Sequence, residues 1–315
     1  MHRSKRIAGT LGGPPRAPAF VRERAAAEGS ELARVKRALA ERGLAPRRRF
    51  GQNFLIREDL AARIVEHCRL RDDDVAVEIG PGAGALTARL AARVRHLVAI
   101  EKDTGLAAYL REELAESSHV ELIEGDFLEL DLAATARAHG VARLAVVGNI
   151  PYNITTPVLE RIFEQRAAVR SAVLLVQKEY AERLGAAAGT PAYGALTLFA
   201  RYHALLEPLM TIKAAAFWPR PEVDSMLVRF FLRERPPVEV PEDILFRVIR
   251  GAFQMRRKQL PNTLEESLAV SKDQAVRLCR AAGIDPRRRG ETLTLDEFAK
   301  LAREAPPFIK GGFPP

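Results

Sequence analysis

Cysteine is nearly absent: Cys68 and Cys279 are the only two in 315 residues, far apart and in no metal or redox spacing. That excludes a disulfide framework and points to a reducing compartment with two ordinary thiols. The six histidines are scattered with no pair at ligand spacing, so no metal site is expected. No apolar run approaches bilayer length, and the N-terminus lacks the apolar centre of a secretory signal. The expectation is a monomer that neither enters a membrane nor leaves the cytoplasm.

What is present is 47% hydrophobic residues, enough to fill one large domain and a smaller one. The net charge of +9 is unevenly placed. Residues 1–49 carry 13 Lys+Arg against 4 Glu, and the remainder balances at 36 of each sign. A basic tail before a neutral body suits a polyanionic partner; a solvated arm explains it as well.

Residues 1–20 mix Gly, Pro and Arg without periodicity and read as disordered. From Ser30 as cap, Leu32, Val35 and Leu39 share one face and Gly43 terminates, which predicts an amphipathic helix or, alternatively, part of an organellar presequence. The expected layout is a basic, disordered extension over 1–45, an α/β domain over 46–235, a helical domain over 236–305 and a tail over 306–315.

From residue 50 helical and strand patterns alternate, as a parallel sheet requires. Asp59–Cys68 has helical spacing. Val75–Ile79, Leu97–Ile100, Val120–Ile123, Leu144–Val147 and Ala172–Val176 are short apolar runs of the kind buried on both faces. A helix over Lys178–Leu184 and a Gly-rich break over Gly185–Gly194 follow. Tyr202–Leu206 and Met226–Leu232 read as strands of an antiparallel edge. Pro236, Pro237 and Pro241 then punctuate the chain, and Glu242–Ala302 reads as helix.

Glu78-Ile-Gly80-Pro-Gly82-Ala-Gly84 closes a strand and opens a helix over Ala85–Val94. Glycines there let backbone amides approach a ligand closely. Tight turns use glycine for steric reasons too, so the neighbours decide. Glu101 ends the next strand, 21 residues after Gly80, where a carboxylate can accept from both ribose hydroxyls. Asp126 ends the third, placed to accept from an adenine amine, with Phe127 to cover the ring. The third glycine comes one residue too early for a pyrophosphate fingerprint, and Glu78 and Glu101 make an acidic rim. S-Adenosylmethionine, an adenosine with a cationic tail, fits better than a dinucleotide.

The fourth strand ends in Asn149-Ile150-Pro151-Tyr152. An adenine amine is a poor nucleophile because its lone pair is delocalised into the ring. The Asn149 side-chain oxygen and the Ile150 or Pro151 carbonyl can accept its two hydrogens, drawing the nitrogen toward tetrahedral geometry. No strong base is needed, and rate comes from positioning and fixed dipoles. The base must leave its stack, at a cost of a few kcal/mol. Tyr152 on one face and Phe217 on the other can offset it. Phe217 stands in the Pro-rich loop Phe217–Ser225, read here as an exposed aromatic; the alternative is a core plug beneath the loop.

These residues together resemble the ribosomal RNA adenine dimethyltransferases. The resemblance runs from about Arg49 to Leu301 and rests on several motifs in order. Gly51-Gln52-Asn53-Phe54-Leu55 is similar to the family's opening motif, which implies that Gln52, Asn53 and Leu55 contact the cofactor. Glu78, Gly80, Gly82, Gly84, Glu101 with Lys102, Asp126 with Phe127, and Asn149–Tyr152 match its cofactor and catalytic positions. Phe217–Ser225 matches the stacking loop, with Trp218 inserted beside the phenylalanine.

The resemblance implies a Rossmann-like methyltransferase fold: a doubly wound, mostly parallel seven-stranded sheet with a small C-terminal helical domain. It implies dimethylation of two adjacent adenosines in the 3′-terminal hairpin loop of small-subunit rRNA, in the subunit or its precursor, with a part in ribosome biogenesis. Arg220, the cluster Arg256-Arg257-Lys258 and the cluster Arg287-Arg288-Arg289 are expected on the RNA, although solvated helix ends are a common reason for such clusters. The long basic N-terminal tail, Met255 and Pro261 depart from the pattern. Alternatives are a large-subunit rRNA dimethyltransferase conferring antibiotic resistance, a non-catalytic RNA-binding assembly factor, and a DNA-adenine methyltransferase.

Overall fold

Residues 31–309 are described by the structure, a computed structural model; the disorder expected for residues 1–20, and Ser30 as a cap, lie outside them. The strands in chain order are β1 (Phe54–Leu55), β2 (Val75–Ile79), β3 (His96–Glu101), β4 (Val120–Glu124), β5 (Leu144–Asn149), β6 (Val169–Gln177), β7 (Ala204–Ile212), β8 (Phe217–Trp218) and β9 (Ser225–Leu232). Seven belong to the main Rossmann-like sheet, and β1 and β8 form a two-stranded ribbon.

The chain divides into two compact units. The first comprises residues up to Asn153 with Ala215–Pro221, and holds β4, β3, β2 and β5 side by side and parallel. β2 is buried at every position, because neighbouring strands pair on both of its sides. β4 departs from the expectation of burial on both faces. It ends the row, and Glu121 and Glu124 are exposed. The glycine loop and the segments carrying Glu101, Asp126 and Asn149 stand at the C-terminal ends of these four strands, while Gln52, Asn53, Leu55 and Phe217 come from the β1–β8 ribbon and the chain before it. The helix expected over Ala85–Val94 is shortened to Thr87–Ala91.

The reading of residues 1–45 as disordered is corrected for its described part. Glu31–Ala40 is a helix, and Gly43, at φ +65°, stands at its end. Val35 and Leu39 are buried in one cluster with Phe54, Ala83, Leu106, Tyr109 and Leu110. Each such side chain is worth about 1.5–3 kcal/mol of burial, which makes the segment part of the core and removes the argument for a loosely attached presequence. Several of its arginines are also committed internally. Arg42 donates to Glu112 at 3.0 Å and lies over the Tyr109 ring, and Arg47 pairs with Asp103 at 3.2 Å.

The second unit comprises Ile154–Ala214 and Glu222–Pro315. β9 lies between β6 and β7 and is antiparallel to both, so the two stretches expected at an antiparallel edge do pair there, β7 as the last strand and β9 one place in. Tyr202, expected in a strand, ends a helix (Ala195–His203), and β7 runs on to Ile212 with a register shift at Pro208. Pro208 is tolerated because β7 is the last strand. Helices Glu242–Gln254, Leu260–Leu268, Lys272–Ala281 and Leu295–Glu304 form the C-terminal helical part. The expected boundary at 236 does not separate the units. Tyr193, Leu198 and Tyr202 share one core with Leu245, Leu264, Phe298 and Leu301, and Tyr193 donates its hydroxyl to the Leu293 carbonyl at 2.6 Å.

Both cysteines are buried thiols, and burial pushes that of Cys279 up to about 12. Among the described residues no helix is long and apolar enough to cross a membrane.

Candidate active site

All the expected cofactor and catalytic residues lie in the first unit. Gly80, Gly82 and Gly84 adopt φ of +61°, +58° and +77°. Gly82 is required twice over: its conformation is left-handed, and an added Cβ would stand 3.0 Å from the Phe54 ring. Phe54 belongs to the opening motif, so the glycine loop and that motif are packed against each other.

Glu101 is buried at the end of β3. One carboxylate oxygen accepts the Gly82 N–H at 3.0 Å and the other the Asp103 N–H at 2.8 Å. Burial raises its pKa above the usual carboxylate range, and those two amides oppose the rise. Each oxygen accepts from one amide in these bonds and has two lone pairs, so both retain acceptor capacity toward a diol. Glu78 is buried on the adjacent strand β2, in register with Ala99.

Asp126 accepts the Leu128 N–H at 3.0 Å and an ion pair from Lys102. Burial would raise its carboxyl, but the Lys102 ammonium and the Leu128 amide outweigh it and leave the pKa below the usual value. Asp126 is ionised at neutral pH and Phe127 is buried next to it.

The opening motif reaches the end of β5. The Asn149 side-chain N–H donates to the Asn53 carbonyl at 2.9 Å, and the Asn53 side chain donates to the Gly51 carbonyl at 3.0 Å. A carbonyl accepts only, so the contact assigns Nδ2 of Asn149 to that side and leaves Oδ1 as the acceptor turned elsewhere. Ile150 is buried, and Pro151 and Tyr152 are half-buried.

Gln52 has a scaffold place. It accepts the Arg47 N–H at 2.7 Å and donates to Asp103 at 3.3 Å. Sequence reasoning missed Asp103, which also accepts the amides of Gly105 and Leu106 at the start of a helix. An acidic residue before Thr104-Gly105 is a legible helix cap.

Leu55 pairs with Phe217 across the β1–β8 ribbon, and both are buried. The expectation of an exposed Phe217 is thereby corrected. Trp218, half-buried, is the accessible aromatic of that loop, with its ring 6.3 Å from Phe54 and the Lys36 ammonium 5.3 Å above it.

The expected RNA residues differ in availability. Arg220, Arg257, Lys258 and Arg289 are exposed. Arg287 is exposed but grips Asp285. Arg256 is held by Glu291 at 2.7 Å and the Thr190 carbonyl at 3.1 Å, and Arg288 by Glu297 and the Thr292 carbonyl. These two tie helical segments together.

The glycine loop, the buried Glu101 carboxylate at the end of β3 and the ionised Asp126 beyond β4 lie in one unit, an arrangement that suits a nucleoside, and the glycine spacing does not suit a pyrophosphate. Such a site on a Rossmann-like sheet defines the S-adenosylmethionine-dependent methyltransferases. The chain belongs, more narrowly, to the ribosomal RNA adenine dimethylase family, which it matches over residues 43–305. It is 40% identical over 283 residues to a ribosomal RNA small subunit methyltransferase A from Geobacillus thermodenitrificans, covering 88% of this chain and 97% of that one. A protein of the same description from Geobacter metallireducens is 43% identical over 263 residues, 83% and 96% of the two chains. Among solved structures, the 23S rRNA methyltransferase ErmE superposes with a TM-score of 0.60 at 26% identity, covering 80% of this chain and 99% of that one.

Proposed function

We propose that this chain transfers methyl groups to the 6-amino group of two adjacent adenosines in the 3′-terminal hairpin loop of small-subunit rRNA, acting as a cytoplasmic monomer on the subunit or its precursor during biogenesis. The 40% and 43% identity to proteins described as small-subunit methyltransferases, against 26% to a 23S enzyme, supports that choice of RNA.

The cofactor, when bound, supplies an electrophilic sulfonium methyl. The glycine loop and Glu78 would hold its amino-acid portion, Glu101 its ribose, and Asp126 with Phe127 its adenine. Asn149 carries the chemistry. With its N–H spent on the Asn53 carbonyl, its Oδ1 is preset to accept one amine hydrogen of the target base. The Ile150 or Pro151 carbonyl accepts the other. Holding both hydrogens localises the nitrogen lone pair and aims it along one direction, and dipoles fixed in advance need no reorganisation during transfer. Tyr152 stacks on one face of the flipped base; stacking of this kind is worth about 1–3 kcal/mol. Phe217, buried against Leu55, supports the loop from beneath. Arg220, Arg257, Lys258 and Arg289 hold phosphates.

Labelled methyl donor incubated with each rRNA separately, followed by mapping of the modified nucleotide, tests this reading. Label on two neighbouring adenosines of the small-subunit hairpin is expected. Label confined to large-subunit rRNA or to DNA refutes it.

A further inference from the structure

Three side chains that the methyl-transfer site does not use meet at the other end of the first unit's strands. His96 opens β3, Glu121 lies on the adjacent β4, and His139 closes the helix Leu132–Ala138. Their ligand atoms all lie within 4.8 Å of one another. Glu121 Oε2 is 3.2 Å from His139 Nε2 and 3.9 Å from His96 Nε2. The two rings are tilted by 31° with centroids 4.2 Å apart. We propose that His96, Glu121 and His139 form a binding site for one divalent transition-metal ion, zinc in the first instance. Sequence spacing, on which no metal site was expected, does not reveal this cluster, which three separated segments bring together.

Two imidazoles and a carboxylate are a borderline donor set, suited to zinc, nickel or copper and poor for magnesium or calcium. Donor atoms about 2.1 Å from a tetrahedral ion stand about 3.4 Å apart. One measured pair is already at that spacing. The other closes by a small rotation of Glu121, whose side chain is half exposed and free to turn. A hydrogen bond between His139 and Glu121 is the ordinary reading of the cluster, but it leaves His96 Nε2 buried with no hydrogen bond. A buried ring nitrogen is rarely left so, and an ion satisfies it. The third imidazole nearby, His119, is committed to the Ala91 carbonyl at 3.0 Å, and Arg95 to the carbonyl of His139 at 2.7 Å. Neither competes for the ion.

The site is a clamp. It joins β3, β4 and the helix after β4 at the N-terminal ends of the strands, whereas Glu101 stands at the C-terminal end of β3, about 16 Å along the strand. Bound metal therefore stabilises the fold without touching the methyl donor. Three protein ligands leave one position open to water, and exposed Glu121 gives the ion its entry.

Full-length protein stripped of metal by chelator dialysis is titrated with zinc chloride in a calorimeter, with cobalt(II) absorbance as a report of coordination. One equivalent and a raised Tm are expected for the wild type. His139→Gln and Glu121→Gln should each bind at least about tenfold more weakly, since even outer contacts of metal sites are worth that much. Unchanged affinity of both variants for S-adenosylmethionine confirms that they are folded. No binding by the wild type, or undiminished affinity in either variant, overturns the site.

Discussion

The backbone carbonyl of Asn53 accepts the side-chain N–H of Asn149 across 96 residues of sequence. This contact spends the Asn149 N–H, so its Oδ1 is the atom left to accept in the proposed amine geometry. Asn149→Asp puts a second oxygen against the Asn53 carbonyl and loses the hydrogen bond. Turnover should fall by about 100- to 1000-fold, the usual cost of one preorganised dipole, with affinity for the methyl donor little changed. Single-turnover rates and calorimetry on the same protein check both halves, and normal turnover removes the proposed amine geometry.

Glu101→Ala should weaken binding of the methyl donor by about 10- to 100-fold, the worth of hydrogen bonds to a charged group. The Gly82 and Asp103 amides also lose their acceptor, so Glu101→Gln, which retains one, should fall between the wild type and Ala. Equal affinity in all three proteins removes Glu101 from the ribose.

Leu39→Ala tests the N-terminal helix. Leu39 is 1% exposed, and truncation of such a residue costs about 2–5 kcal/mol. A lower urea midpoint with an unchanged slope is expected. A midpoint equal to the wild type returns the helix to the periphery.

His203 is 5% exposed, stacked on Phe163 at 5.0 Å and parallel to Phe246 at 6.0 Å. Burial, with the Arg166 charge second, pushes its imidazole from 6.5 down to about 4. The unfolded chain takes up this proton at higher pH than the folded one. Stability is therefore complete above about pH 6.5 and falls as the pH drops to about 4, by about 3 kcal/mol. His203→Phe should flatten that part of the urea-midpoint profile. A profile as steep as the wild type assigns the loss to other groups.

The strands that carry the site were legible because they are buried on both faces. β2, β3 and β5 leave apolar runs, and Glu78 one place from the end of β2, Glu101 at the end of β3 and Asn149 at the end of β5 stand out against them. β7 was not legible. At the sheet edge its interior residues are half-buried or exposed without a two-residue alternation, Pro208 interrupts it, and its partner among the described residues, β9, comes later in the chain. Phe217 was misread for a similar reason: its burial comes from pairing with Leu55, which spacing does not reveal.

The order of residue types along the chain was enough to locate a nucleoside loop, two strand-end carboxylates and a neutral amide, because each follows a locally encoded strand. Which atoms stay available was decided by distant neighbours. Asn53 turns Asn149, Glu291 and Glu297 hold Arg256 and Arg288 away from a phosphate role, and three separated segments bring His96, Glu121 and His139 within reach of one ion. Hydrogen bonds and coordination act over a few ångströms, and only the folded chain sets those distances.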